Sequence, residues 1–155
     1  MIKYDEYFMR QALYEAEKAL GDDEVPVGAV LVKENKILHR AYNQTLLKRD
    51  PTAHAEVIAI RAACHTFNNH RLPDCDLYVT LEPCAMCAGA IVLARISQLI
   101  YGAADPKAGA CGSLRNIVKD YRLNHQVELI PDILADESAG MLKAFFRNIR
   151  KRDSD

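Results

Sequence analysis

Several features that would place this sequence in a specialised class of protein are missing. Its longest apolar run, residues 84–94, is too short to span a bilayer, and the charged N-terminus lacks the apolar segment of a signal peptide. Five cysteines are too few for a disulfide scaffold, and their odd number leaves one unpaired. No charge predominates, because 20 Lys and Arg against 21 Asp and Glu give a net charge of −1. This argues against binding nucleic acid by bulk charge, but not by a local basic patch. We therefore expect a cytoplasmic protein with no membrane partner.

The chain also shows no internal repeat, low-complexity tract or flexible linker, so its 155 residues predict a single domain over 1–155. Hydrophobic spacing and helix end signals predict helices over 5–20, from 50–52 to about 65, from 82–83 to about 95, over 114–121 and over 135–150. Strands are predicted over 27–32, 37–42, 76–81, 99–102 and 127–130. The first two strands form a hairpin, and the alternation that follows predicts parallel pairing. The fold class is therefore α/β, with three layers (α/β/α) around a mixed five-stranded sheet.

Two short fragments carry the chemistry, His54-Ala55-Glu56 and Pro83-Cys84-Ala85-Met86-Cys87. Cys84 and Cys87 are three residues apart, so on a helix they share a face and can chelate one ion. His54 supplies a third ligand, and three protein ligands leave one tetrahedral position open for water, as in catalytic zinc sites. A Cys-x-x-Cys pair alone is also typical of a thioredoxin-like redox protein. The combination of both fragments at helix starts favours catalytic zinc.

Glu56 is the natural general base for a water activated by that zinc. Residues i and i+2 of a regular helix point about 200° apart, because each residue advances about 100°. His54 and Glu56 can therefore reach the same water only if the site lies beyond the end of the helix. The signature H-x-E followed by P-C-x-x-C is the one described for zinc-dependent nucleobase deaminases.

Well beyond these ligands, the sequence resembles the bacterial tRNA-specific adenosine deaminases. The resemblance runs from about residue 7 to residue 150 and includes segments 24–30, 50–56 and 78–84, Asn43, the loop 105–113 and the pair 145–146. It implies a cytidine deaminase-like fold and a homodimer that binds one Zn²⁺ per subunit through His54, Cys84 and Cys87. It further implies deamination of adenosine to inosine at the wobble position of the arginine tRNA anticodon stem-loop, with Glu56 as the catalytic base and acid.

The same resemblance suggests which residues contact the substrate. Asn43 is expected to hydrogen-bond the target base, the backbone N–H of Ala55 to donate to the base edge, and Val27 and Asp105 to line the pocket. One of Phe145 and Phe146 is expected in the core and the other against a neighbouring base, while Arg150, in a basic helix end, contacts RNA.

Three alternatives remain open at this point. Guanine deaminase shares the 50–56 motif and a similar Glu-Pro-Cys-x-x-Cys stretch, although the loop 105–113 and the pair 145–146 favour the tRNA enzyme. A non-catalytic, zinc-stabilised RNA-binding module would have no need of Glu56. A thioredoxin-like redox protein would use Cys84 and Cys87 without a metal.

Overall fold

A computed structural model describes residues 3–154 and contains one five-stranded sheet between two layers of helices. The elements are α1 (Glu6–Gly21), β1 (Gly28–Lys33), β2 (Lys36–Tyr42), α2 (Ala55–Phe67), β3 (Cys75–Leu81), α3 (Ala85–Leu93), β4 (Gln98–Ala103), β5 (Glu128–Ile130) and α4 (Ala135–Ser154). The strand order is β2-β1-β3-β4-β5. β1 pairs antiparallel with both β2 and β3, whereas β3, β4 and β5 are parallel. The predicted mixed sheet and α/β class are confirmed, and the antiparallel part extends beyond the hairpin to the β1–β3 pair.

The two faces of the sheet are covered by different helices because strand side chains alternate. In β1, Ala29 and Leu31 join a core with residues of α2 and α3, while Val30 and Val32 join one with α1. α1 lies directly on β1, since a Cβ at Gly28 would overlap the backbone of α1. α4 lies on the α1 side near the end of β4, where the Ser138 hydroxyl accepts the Ala103 N–H at 3.0 Å.

The structure corrects the starts of α2 and α3. Residues 50–53 form a turn, in which the Asp50 carboxylate accepts the Thr52 N–H at 2.8 Å, and α2 begins only at Ala55. α3 likewise begins at Ala85 rather than at 82–83. His54 and Cys84 therefore occupy the N-cap positions of the two helices. The metal ligands lie at the helix ends, as the His54–Glu56 geometry requires.

The predicted helix over 114–121 is wrong. Backbone groups of this segment pair with distant residues instead of with the preceding helical turn: the Ile117 N–H donates to the Ala110 carbonyl at 2.8 Å, and the Val118 carbonyl accepts the Val127 N–H at 3.1 Å. Val118 is fully buried, whereas Leu114 and Tyr121 are exposed. The segment is therefore a loop that packs on the sheet, and the helical spacing of its apolar residues does not correspond to a helix.

The last helix continues to Ser154 instead of ending at 150. Among residues 3–154, no helix combines the length and the hydropathy needed to cross a membrane.

Candidate active site

Three potential metal ligands converge where α2 and α3 begin. The His54 Nδ1 atom lies 3.5 Å from the Cys87 Sγ atom and 3.7 Å from the Cys84 Sγ atom. The three ligand atoms all lie within 4.8 Å of one another. His54 and Cys84 are the N-cap residues, while Cys87 lies one turn into α3 and is fully buried. The predicted ligand set is thus brought together by two helix N-termini from different parts of the chain.

The spacing of these atoms fits a tetrahedral zinc ion. With Zn–N near 2.0 Å and Zn–S near 2.3 Å, tetrahedral angles separate nitrogen and sulfur by about 3.5 Å. The observed separations of 3.5 and 3.7 Å match that value. Imidazole and thiolate are also the donors that zinc prefers in proteins.

The electrostatics of the cluster favour a cation. Hydrogen bonds from Cys87 and His54 lower the pKa of the Cys84 thiol to about 3, so Cys84 is a thiolate at neutral pH. The pKa of Cys87 is raised because its thiol donates to that thiolate and because it is buried. The hydrogen bond to Cys84 also raises the pKa of His54. A cation that replaces the shared protons would satisfy all three donor atoms together, since metal binding releases protons from its ligands.

Glu56 is the only described side chain with a buried polar atom that lacks a hydrogen-bond partner. The residue is 3% exposed, in the first turn of α2, and its unpartnered atom is Oε1. Burial raises the pKa of this carboxyl. An unpaired buried carboxyl is costly to the fold. A carboxyl group in this state is suited to accept and return a proton during a reaction.

A cavity of about 980 Å³ opens over Glu56 and the ligand cluster. Its lining includes the ligands His54 and Cys84 and, from the predicted substrate contacts, Val27, Asn43, Asp105, Phe146 and Arg150. Lys143 and Arg147 of α4 also line it. The cavity therefore has potential metal ligands and a carboxyl group in one part and a cationic helix in another.

Ala55 does not line this cavity. Its N–H instead donates to the Asn43 Oδ1 atom at 2.8 Å, in a buried hydrogen bond. The amide that was expected to contact a base thus holds Asn43 in place, which leaves the Asn43 NH₂ group as the possible donor to a ligand.

The pair Phe145 and Phe146 divides between core and cavity. Phe145 is 6% exposed and does not line the cavity, so it is the member of the pair that lies in the core. Phe146 is 43% exposed and lines it. The two rings meet edge to face, with centroids 5.3 Å apart. Phe145 therefore supports the side chain that reaches the cavity.

Sequence reasoning missed two buried carboxylates that anchor loops of the cavity. Glu24 accepts the N–H groups of Leu46 and Leu47 at 3.1 and 2.8 Å and the Thr45 hydroxyl at 3.2 Å, and Thr45 lines the cavity. Glu82 binds the loop 105–113 in the same way. Burial on its own raises the pKa of Glu82, but the hydrogen bonds to the carboxylate outweigh it and lower this pKa. The only signal in the sequence is an acidic residue next to an otherwise apolar stretch.

Comparisons with known proteins agree with this geometry. A family model described as the cytidine and deoxycytidylate deaminase zinc-binding region matches residues 2–103. The chain is 47% identical over 148 residues to the tRNA-specific adenosine deaminase of Bacillus subtilis (strain 168), covering 96% of this chain and 92% of that protein. A solved structure from work on A-to-I editing by tRNA:A34 deaminases at the wobble position superposes with a TM-score of 0.86 and 46% identity, covering 89% of this chain and all (100%) of that one. The Bacillus subtilis guanine deaminase is 40% identical with a TM-score of 0.62, over 66% of each chain.

Proposed function

The chain belongs to the cytidine and deoxycytidylate deaminase family, and we propose that it hydrolytically deaminates adenosine to inosine at the wobble position of tRNA, releasing ammonia. One observation carries the chemistry: the buried carboxyl of Glu56, whose Oε1 atom has no hydrogen-bond partner, lies beside three ligands spaced for zinc. The substrate follows from relatives that match almost the whole chain and are tRNA-specific adenosine deaminases.

His54, Cys84 and Cys87 would hold the zinc ion, one per subunit. When bound, zinc supplies a Lewis acid that lowers the pKa of a water molecule at the site to about 7. Glu56 takes a proton from the attacking water and delivers it to the purine ring nitrogen while the C6–O bond forms. Glu56 then takes the remaining proton from the C6 hydroxyl and delivers it to the amine, so that the C6–N bond breaks, ammonia leaves and the C6 carbonyl of inosine forms. A carboxyl group whose pKa is raised by burial can perform both transfers near neutral pH.

The remainder of the cavity accommodates more than the target base. Its volume of about 980 Å³ is at the upper end of the range of small-molecule sites, which is roughly 300–1,000 Å³. Asn43 and Val27 contact the target base, and Asp105 contacts the adjoining nucleotide. Phe146 stacks on a neighbouring base, as exposed aromatic residues commonly do with single-stranded RNA. Arg150 binds phosphate together with the adjacent cations of α4.

The RNA we propose is the anticodon stem-loop of an arginine tRNA. An anticodon loop is single-stranded, so extruding the wobble base from it into a pocket costs less free energy than extruding a base from a duplex. An enzyme that acts on tRNA works where tRNA resides, and we accordingly propose a cytoplasmic location.

We also propose that the enzyme acts as a homodimer through the outer face of α3 and the loop that follows β4. α3 contains no charged residue, and its Leu93 side chain is 72% exposed. Met86 of α3 and Leu114, Tyr121 and Leu123 of the loop are exposed as well. These residues belong to segments that cover the same face of the sheet. Exposed apolar side chains in such a group are typical of a protein interface.

Substitution of Leu93 tests the homodimer. Leu93→Glu should convert a dimer to a monomer in sedimentation equilibrium, because it buries a charge in the interface. Tyr14→Glu is the matched control, since Tyr14 is 54% exposed on α1, which covers the other face. A wild-type monomer, or a dimer that survives Leu93→Glu, contradicts this interface.

Parallel assays of zinc-loaded protein test the substrate. Arginine tRNA, free adenosine and free guanine are supplied separately, with sequencing for inosine and measurement of released ammonia. We expect inosine confined to the wobble position of tRNA. Release of ammonia from guanine, with the tRNA left unchanged, would instead favour guanine deaminase activity. The solved Bacillus subtilis guanine deaminase is 40% identical to this chain and covers 66% of it.

A further inference from the structure

A second buried glutamate, Glu82, lies next to the active site but takes no part in the metal cluster or the proton transfers. It follows directly after β3 and is 2% exposed. Its Oε1 atom accepts the Asp105 N–H at 3.0 Å and the Ser113 hydroxyl. Its Oε2 atom accepts the N–H groups of Cys111 and Ser113, each at 3.0 Å. One carboxylate thus satisfies four donors, all from one loop.

The loop is built around this carboxylate. A Cβ at Gly109 would overlap the carboxylate of Glu82, so the backbone passes against the group at a distance that only glycine allows. The Ala110 N–H donates to the Pro83 carbonyl at 2.9 Å, and Gly109 forms a β-bridge with Cys84. The loop is therefore tied to the segment that carries the zinc ligands.

The outer side of the same loop forms part of the cavity wall. Asp105, Pro106, Lys107 and Ala108 all line the cavity. The Asp105 Oδ1 atom accepts the N–H groups of Lys107 and Ala108 at 3.0 and 3.2 Å, which folds this wall into a turn. The position of Asp105 therefore sets the position of the wall, and the hydrogen bond from Asp105 to Glu82 sets the position of Asp105.

We infer that Glu82 is a positioning residue for substrate binding: its carboxylate holds the wall 105–108 in the shape that receives the nucleotide. Glu82 also lines the cavity, but both of its carboxylate oxygens are occupied by the four donors of the loop, so it acts through Asp105. The inference rests on the proposed function for the identity of the substrate. Its structural consequence, the ordering of Asp105, does not depend on that function.

The substitution Glu82→Gln should leave one particular donor of the loop, the Asp105 N–H, without an acceptor. One end of the new amide is an NH₂ group, which cannot accept a hydrogen bond. The NH₂ group is best tolerated at the Oε1 position, because there the Ser113 hydroxyl can rotate and accept from it. The Asp105 N–H is then the one donor left unpaired. Its hydrogen exchange should become faster on the order of tenfold, whereas the amides of Cys111 and Ser113 should stay protected.

Enzyme kinetics with an anticodon stem-loop provide the second measurement. Glu82→Gln should raise KM by roughly three- to tenfold, the scale of one lost hydrogen bond. Both kcat and zinc content should stay within about twofold of wild type, because the metal ligands and Glu56 are unchanged. Ser113→Ala removes one hydroxyl and keeps all three N–H donors, so it should raise KM less than Glu82→Gln does.

The matched control is Glu15→Gln. Glu15 is also buried, at 4% exposure, but its side chain bonds Lys18 on α1. This variant should leave KM and the exchange of Asp105 unchanged.

Two results would overturn the inference. One is an unchanged Asp105 exchange rate and KM in Glu82→Gln; the other is a uniform increase of exchange across the sheet, which would show a global structural role. If the wild-type enzyme fails to deaminate the stem-loop, the proposed function fails, while the exchange of Asp105 still decides whether Glu82 orders the wall.

Discussion

Replacing Glu56 by Gln should abolish activity and yet stabilise the metal-free protein at neutral pH. The change preserves the shape of the side chain and removes its charge. In the structure the carboxyl is 3% exposed, and its Oε1 atom has no hydrogen-bond partner. The group is therefore held in a state that the fold alone does not favour, as the catalytic role we propose for Glu56 would require.

The two effects can be given magnitudes. Loss of general acid–base catalysis lowers kcat by about 10²–10⁴-fold. Leaving a buried group unpaired costs about 1–3 kcal/mol when it is neutral and more when it is charged, so Glu56→Gln should recover the extra cost of the charge wherever the wild-type carboxyl is ionised. For a domain of 155 residues each kcal/mol corresponds to roughly 2–4 °C in the melting temperature.

The pH dependence follows from the raised pKa of Glu56. Because the folded pKa lies above the unfolded value of about 4.3, the folded state binds the proton more tightly than the unfolded state does. Wild-type stability therefore falls as pH rises from that unfolded value through the folded pKa. The difference in free energy of unfolding between Glu56→Gln and wild type should be absent below about pH 4 and should grow as pH rises above that value.

Urea denaturation of metal-free protein in chelator and reductant, across this pH range, measures the difference. Glu17→Gln, an exposed position on α1, controls for the loss of a surface charge. The reasoning is refuted if Glu56→Gln is less stable than wild type at pH 7, or if the zinc-loaded variant keeps more than about a tenth of the wild-type kcat.

Other predictions follow from the same structure. Cys87→Ser should reduce bound zinc, measured by elemental analysis, from about one ion per chain to a trace; full occupancy would remove Cys87 from the ligand set. Phe145→Ala should cost about 3–5 kcal/mol in urea denaturation because it opens a core cavity. Phe146→Ala should leave stability nearly unchanged and raise KM for the stem-loop; the reverse pattern for the two residues would contradict their placement. Arg150→Gln should lower the slope of log affinity against log salt by about 0.7, the value for one phosphate contact on a single strand, and an unchanged slope would exclude that contact. The lowered pKa of Glu82 stabilises the fold above the unfolded pKa of about 4.3, and this contribution is lost as pH falls through the folded value; wild type should therefore lose more stability on acidification than Glu82→Gln, as urea midpoints at pH 6 and pH 3.5 would show.

The cluster of potential metal ligands and the position of Glu56 in the same cavity were predictable, because these residues belong to short, local motifs. His54 and Glu56 are two residues apart, and Cys84 and Cys87 are three apart, so each fragment needs only one helix start to become functional. The hydrophobic spacing likewise predicted all five strands, since strand alternation is a local property.

What could not be predicted depends on contacts between distant segments. Phe145 and Phe146 are neighbours about 100° apart on one helix, and which of them is buried depends on how α4 docks. The Asn43 side chain accepts a hydrogen bond from the backbone N–H of Ala55. Every residue except proline has such an N–H group, so the type of side chain at position 55 gives no sign of this contact. The role of Glu82 was hidden for the same reason, because three of its four donors are backbone N–H groups.

The segment 114–121 shows how a local signal can mislead. Its apolar residues have helical spacing, but its backbone is paired with the Ala110 carbonyl and the Val127 N–H. The chain between the parallel strands β4 and β5 has to cross from one strand to the next, and this crossing places the segment beside those partners. Tertiary pairing therefore overrides local propensity here.

We propose that this protein uses water to replace the C6 amine of the wobble adenosine, with Glu56 moving the protons. The most direct measurement is mass spectrometry of anticodon nucleosides after reaction of zinc-loaded protein with arginine tRNA in ¹⁸O-labelled water. We expect inosine at the wobble position that carries one ¹⁸O atom, one ammonia released per inosine, and neither product with Glu56→Ala. Inosine without the label, or labelled inosine formed equally well by Glu56→Ala, would contradict this proposal.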